Sequence, residues 1–259
     1  MSIYKKFCTE IFDENGNLKR FSLHYPENFN FAYDVVDELA EKTPEKKALV
    51  WCNTENEERI FTFSDIRRYS CQMANVFLRA GISRGDRVFV ILKRHYEYWF
   101  AAIALHRLGA VMIPATHMLT EEDLVYRIKS SQAKAAVCTV QNQVPEKMLA
   151  ALKKSGLSLK LWCVQQDTDG FENLTEAMKK EETSFPRMET LASDPMLLYF
   201  TSGTTGAPKG VIHDYTYPLA HIVTAKYWQQ TEEDGLHFTV AETGWAKASW
   251  GKLYGQWLT

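Results

Sequence analysis

A chain of 259 residues, 46% hydrophobic and 24% charged, carries enough apolar surface for one large core or two closely joined ones. Its formal net charge of −2 lacks the basic excess of a polyanion-binding protein, which sets nucleic acid aside as a partner. Five scattered cysteines with no C-x-x-C pair argue for reduced thiols in a cytoplasmic protein, against a disulfide framework or a zinc site.

The first residues, MSIYKKFCTEIFDENG, show no apolar core followed by a small-residue cleavage site, so no signal peptide is expected. No run approaches the roughly 18 apolar residues of a membrane span. Asn-Leu-Thr at Asn173 matches a glycosylation sequon, which carries no weight without a secretory signal.

From Phe31, FAYDVVDELAEKTP places Val35, Val36 and Leu39 at helical spacing before Pro44. KALVWC and RIFTF, separated by a charged turn, predict a hairpin. Ser64 is the expected cap of a helix running to Gly81. RVFVILK (87–93) is a continuous apolar run, as a strand covered on both faces requires. EYWFAAIALHRLG predicts an apolar helix stopped by Gly109, and AVMIPAT the next strand. Thr120 and Asp123 have the spacing of a capping box. AKAAVCTV, LKLWCVQ and MLLYF predict further strands, with helices near 145–154 and 171–180 between them. Strands alternating with helices in this way predict an α/β fold with a mostly parallel, doubly wound sheet.

The most informative stretch is LLYFTSGTTGAPKGVIHD (197–214), where a buried strand runs into a loop of hydroxyls and glycines. A Walker loop is excluded by spacing, because only two residues separate Gly203 from Gly206 and Gly210 stands where Ser or Thr is needed. No G-x-G-x-x-G occurs anywhere. A plain hairpin turn explains the glycines and Pro208, but not Thr201, Ser202, Thr204 and Thr205 together with Lys209. A phosphate explains all of them: hydroxyls and free N–H groups donate, glycines admit the backbone, and the lysine adds a compact charge.

This loop resembles the signature of the adenylate-forming superfamily, which includes acyl-CoA synthetases, luciferases and peptide-synthetase adenylation domains. The resemblance extends upstream through residues 81–138, with Gly85-Asp86 before a strand, Gly109-Ala110 after a helix and Pro114 after the next strand. Downstream, TVAETGWAKASWGKLYGQWL (239–258) resembles the segment that follows the loop in short- and medium-chain acyl-CoA synthetases.

The resemblance implies ATP, Mg2+ and coenzyme A as substrates beside a small carboxylic acid. Thr201, Ser202, Gly203, Thr204, Thr205, Gly206, Ala207, Pro208 and Lys209 would hold the triphosphate, with Lys209 and Thr204 acting on the reacting phosphate. Trp245, Lys247 and Trp250 would bind the acid. A helix is expected from near Ala246, with Lys247 and Trp250 on one face and Trp245 at the preceding turn. Core packing is the plainer alternative for the tryptophans. No protein metal site is expected, and a homodimer is left open.

Tyr-Gly-x-Thr-Glu and Ser/Thr-Gly-Asp motifs are missing. The sequence is therefore read as an N-terminal portion: residues 1–30 as an extension, 31–259 as an incomplete AMP-binding domain, and the C-terminal domain absent. Full turnover by this stretch alone is not expected. Two alternatives stand beside it: a non-catalytic homologue acting as a binding module, and a ligase serving a carrier-protein thiol.

Overall fold

The computed structural model describes residues 2–202 and 206–259. The chain opens with an antiparallel hairpin of β1 (Cys8–Phe12) and β2 (Leu18–Leu23), residues to which the sequence assigns no element. Ile3, Tyr4 and Phe7, just before it, are buried in the main core. Lys226 fastens this end by donating to both Glu10 oxygens, at 2.8 and 2.7 Å, and to the Tyr4 hydroxyl.

A π-helical turn (Ala32–Asp37) runs into α1 (Glu38–Lys42). β3 (Lys47–Cys52) and β4 (Glu58–Thr62) form the expected hairpin. α2 (Phe63–Arg79) begins two residues earlier than Ser64 implies. Thr62 is the cap: its hydroxyl accepts from the Asp65 N–H while the Asp65 carboxylate accepts from the Thr62 N–H. Such a reciprocal pair satisfies two end donors at once, and a cap at Ser64 would forgo it.

β5 (Arg87–Ile91), α3 (Glu97–Leu108), β6 (Val111–Pro114), α4 (Glu121–Ser131), β7 (Ala135–Cys138), α5 (Val144–Ser155), β8 (Lys160–Cys163), β9 (Glu172–Asn173) and α6 (Leu174–Met178) follow in alternation. β10 (Pro195–Thr201) and β11 (Lys209–Asp214) complete a seven-stranded sheet of order β11-β10-β6-β5-β7-β8-β9. Every pairing is parallel except that of β10 with β11.

The apolar run in β5 is explained by two cores. Val88 and Val90 face one hydrophobic cluster, Phe89 and Ile91 the other. α7 (Tyr217–Val223), a second π-helical turn (Thr224–Trp228), α8 (Ala246–Lys252) and α9 (Tyr254–Leu258) close the chain. They lie over the face that holds α3, whose twelve residues are all buried.

Candidate functional site

The hydroxyl- and glycine-rich loop leaves the sheet at the carboxyl end of β10 and returns as β11. Its two ends face each other: Thr201 pairs with Lys209 in the antiparallel register, and Thr201 Oγ1 donates to the Lys209 carbonyl at 3.4 Å. Directly opposed residues of such a pair project from the same face. Thr201, Ser202, Gly206, Ala207 and Lys209 are exposed, and Pro208 is half-buried. Gly206 has φ of 140°, a conformation closed to side-chain-bearing residues. Gly203, Thr204 and Thr205 lie outside the described residues. The described geometry is thus a hairpin, as the plainer reading expects, with hydroxyls and a cation left open to solvent at its mouth.

α4 braces the outgoing limb. The Tyr126 hydroxyl donates to the Pro208 carbonyl at 2.9 Å, and its ring meets that of Phe200 edge-on at 6.4 Å. Nothing in the local sequence marks Tyr126 for this role, because the contact joins residues 82 apart.

The downstream segment takes the expected form. α8 begins at Ala246, and Trp245 precedes it in extended conformation (φ −109°, ψ 145°). Gly244 presses on the chain just beyond β6, where a Cβ would stand 2.3 Å from the Thr116 nitrogen. Only glycine permits that approach, and it fixes where Trp245 and α8 start. Trp245 is 59% exposed. Lys247 is exposed, whereas Trp250 is half-buried against two other rings. His221 stacks at 6.0 Å and 18°, and Trp228 at 5.6 Å and 28°. Much of the Trp250 ring surface is therefore engaged in packing against other rings.

Loop and helix are joined by a contact that the sequence does not reveal. Tyr199 lies two residues before Thr201 and so on the same face of β10. Its hydroxyl donates to Ser249 Oγ at 2.6 Å, and the Tyr98 hydroxyl of α3 meets the same oxygen at 3.0 Å. All three side chains are buried. His213, on β11, packs between Tyr199 and Tyr217 at 5.9 and 4.4 Å, and burial lowers its pKa, consistent with a structural role.

A cavity of about 2160 Å3 opens elsewhere on the carboxyl edge, lined among others by Trp51, Lys93, Arg94, Glu242 and Lys252. Near it, His95 and Thr139 hydrogen-bond at 2.9 Å across the ends of β5 and β7, where the winding direction reverses. Such crevices suit ligands in sheets of this kind. His117 approaches Glu242 at 3.7 Å, yet burial keeps its pKa below the usual value. Neither Ser202, Gly206 nor Lys209 lines this cavity.

Comparison with known proteins places this geometry. The model of the AMP-binding enzyme family matches residues 36–249. The chain belongs to that family. It is 36% identical over 247 residues to acyl-coenzyme A synthetase ACSM3, mitochondrial, of Homo sapiens, and 36% identical over 239 residues to the human ACSM5 protein of the same description. These alignments cover 92% and 90% of this chain but 42% and 41% of the relatives, so the chain spans less than half their length. The crystal structure of a Brucella canis acyl-CoA synthetase has the same fold, with a TM-score of 0.77 at 23% identity over 89% of this chain and 41% of that one. The AMP-binding family thus accounts for the expected α/β fold and for the resemblance of the loop.

The relatives also correct one expectation. A cytoplasmic location was expected from the cysteines and the N-terminus, but the ACSM3, ACSM4 and ACSM5 relatives are all named mitochondrial. Five free cysteines suit a reducing environment but do not tell one reducing compartment from another.

Proposed function

We propose that this chain is the nucleotide-binding part of an AMP-forming acyl-CoA synthetase acting on a short- or medium-chain carboxylic acid. In the first step the acid's carboxylate attacks the α-phosphate of ATP, giving an acyl-adenylate and pyrophosphate. In the second, the thiol of coenzyme A attacks the acyl carbon and AMP leaves. Residues 31–259 form the AMP-binding unit in this reading, with 1–30 preceding it.

The loop from Thr201 to Lys209 holds the triphosphate. Thr201 and Ser202 donate hydroxyls, Gly206 lets backbone N–H groups approach, and Thr204 and Lys209 meet the charge that grows on the phosphate oxygens. Trp245, Lys247 and Trp250 hold the acid, with exposed indole edge and ammonium available to tail and carboxylate. Among the described residues no group of three or more His, Cys, Asp or Glu is arranged to hold a metal. Mg2+ would then be carried by phosphate oxygens and water, its usual manner with nucleotides, and would neutralise the transferring group.

One observation carries this reading: the Thr201–Lys209 pair opens the loop on the same face of β10 that holds Tyr199, whose hydroxyl reaches the residue beside Trp250. That contact supports placing the phosphate-binding and acid-binding residues of this reading on one side of the sheet. Calorimetric titration with Mg-ATP, competed by pyrophosphate, tests it, together with acid-dependent exchange of labelled pyrophosphate into ATP. Binding that pyrophosphate displaces is expected. A chain that binds neither ATP nor pyrophosphate would remove the assignment.

A further inference from the structure

We infer that Ser249 is a positioning residue that sets the register between the phosphate loop and the acid-binding helix. The inference rests on the reading of residues 201–209 as the phosphate site.

Three elements meet at one oxygen. Tyr199 of β10 donates to Ser249 Oγ at 2.6 Å, Tyr98 of α3 lies 3.0 Å from it, and Ser249 itself belongs to α8. A serine hydroxyl has one proton and two lone pairs, so two tyrosine partners use most of its capacity. Ser249 and Tyr98 are 0% exposed and Tyr199 is 5% exposed, so no solvent competes for these bonds. Tyr199 is two residues from Thr201, and Ser249 is the immediate neighbour of Trp250. A displacement of the end of β10 is therefore handed directly to α8 through this short hydrogen bond.

Ring contacts join the same ends by another route, from Tyr199 through His213, Tyr217 and His221 to Trp250. Those contacts survive removal of a hydroxyl, so the contribution of Ser249 is separable. Its consequence for the chemistry is geometric. Attack requires carboxylate and α-phosphate to approach within about 3–3.5 Å, and a misplacement of about 1 Å is costly. Ser249 touches neither group, and acts by holding the helix that carries Trp250 against the strand that carries Thr201.

The test uses the chain itself. Tryptophan emission is recorded while Mg-ATP is added, with Trp250→Phe as the reference lacking the reporting indole, and binding is followed separately by calorimetry. The unaltered chain should change emission on saturation, and Trp250→Phe should lose that change. Tyr199→Phe and Ser249→Ala should each reduce it at least about threefold while ATP affinity stays within about threefold of the original. Ser249→Thr should restore it. A merely structural serine would lower the melting temperature and leave the emission change in place. If Ser249→Ala does not fold, Tyr199→Phe, which keeps the ring, decides alone. A full-sized change in the folded variants, or none from Trp250 in the unaltered chain, would overturn the inference. Failure of ATP to bind by calorimetry removes the loop assignment, and this inference with it.

Discussion

Thr201 and Lys209 form the last cross-strand pair of β10 and β11, so a hydroxyl and an ammonium group stand on one face of the sheet at the mouth of the loop. On the proposed reading, both are already placed to meet an anion there. The strands fix both backbones, and the exposed side chains keep their hydration until a ligand replaces it.

Lys209→Ala should therefore weaken Mg-ATP binding without unfolding the protein. A hydrogen bond to a charged group contributes about 1.5–3 kcal/mol, which corresponds to a loss of roughly ten- to a hundredfold in affinity. The difference should shrink at high salt, as expected for an exposed ion pair. Calorimetry at two ionic strengths checks both points, and unchanged affinity would place Lys209 away from the phosphates.

Much of this arrangement is legible in the sequence because it is local. The hairpin at 47–62 and the capping box at Thr120 depend on residues a few positions apart. The loop's hydroxyls, glycines and lysine are likewise contiguous. What the sequence hides is tertiary: Tyr126 reaching Pro208, Tyr199 reaching Ser249, Gly244 pressed on Thr116. No period or spacing announces a contact across 50 or 82 residues. The hairpin at 8–23 escaped notice because its strands are largely exposed and carry no clear apolar alternation. His221 and Trp228 were hidden for a further reason. An indole packed against other rings has the same one-dimensional signature as an indole lining an open pocket.

Gly244→Ala should be poorly tolerated. A methyl group there would stand 2.3–2.4 Å from the backbone of Ala115 and Thr116, so the chain itself must move. Overpacking of this kind costs about 1–3 kcal/mol or more. The melting temperature should fall, and the stack around Trp250 should loosen because α8 starts two residues later. A variant as stable as the parent, with unaltered tryptophan emission, would contradict the observed contact.

Stability should also depend on pH through Glu97. It is 2% exposed, accepts from Gln165 Nε2 at 2.8 Å, and its other oxygen has no hydrogen-bond partner among the described residues. Burial pushes its pKa up from the usual 4.5 to about 7. The folded protein thus holds a proton that the unfolded chain releases at lower pH. The contribution is complete below pH 4.5 and is lost as pH rises to about 7. By linkage it amounts to at most roughly 3 kcal/mol, an order-of-magnitude figure. Glu97→Gln should flatten this part of the profile and raise stability near pH 8. Urea denaturation across pH 4.5–8 measures it, and parallel profiles for parent and variant would contradict the assignment.

The last prediction concerns Trp250, for which acid binding and packing lead to different outcomes. Its indole stacks on His221 and on Trp228, with ring centroids 6.0 and 5.6 Å away. Trp250→Ala removes the indole while His221 and the largely exposed Trp228 remain, which should open space beside them. If the acid's tail ends against the edge of Trp250, that space should accept longer tails. Each additional buried methylene contributes about 0.8 kcal/mol, so preference should move towards longer acids by several-fold per carbon until the space is full. Some loss of stability is expected in either case, since a cavity left by an aromatic side chain costs about 3–5 kcal/mol when it is fully buried, and less for a half-buried one. Stability alone therefore does not discriminate. Acid preference does, measured as acid-dependent pyrophosphate exchange or as direct calorimetric binding over a series of chain lengths. Trp250→Phe supplies the control, since it keeps the stack and should move the preference less than Trp250→Ala. A lower melting temperature with an unchanged order of acids in both variants would assign Trp250 to packing and leave Trp245 and Lys247 as the acid-facing residues.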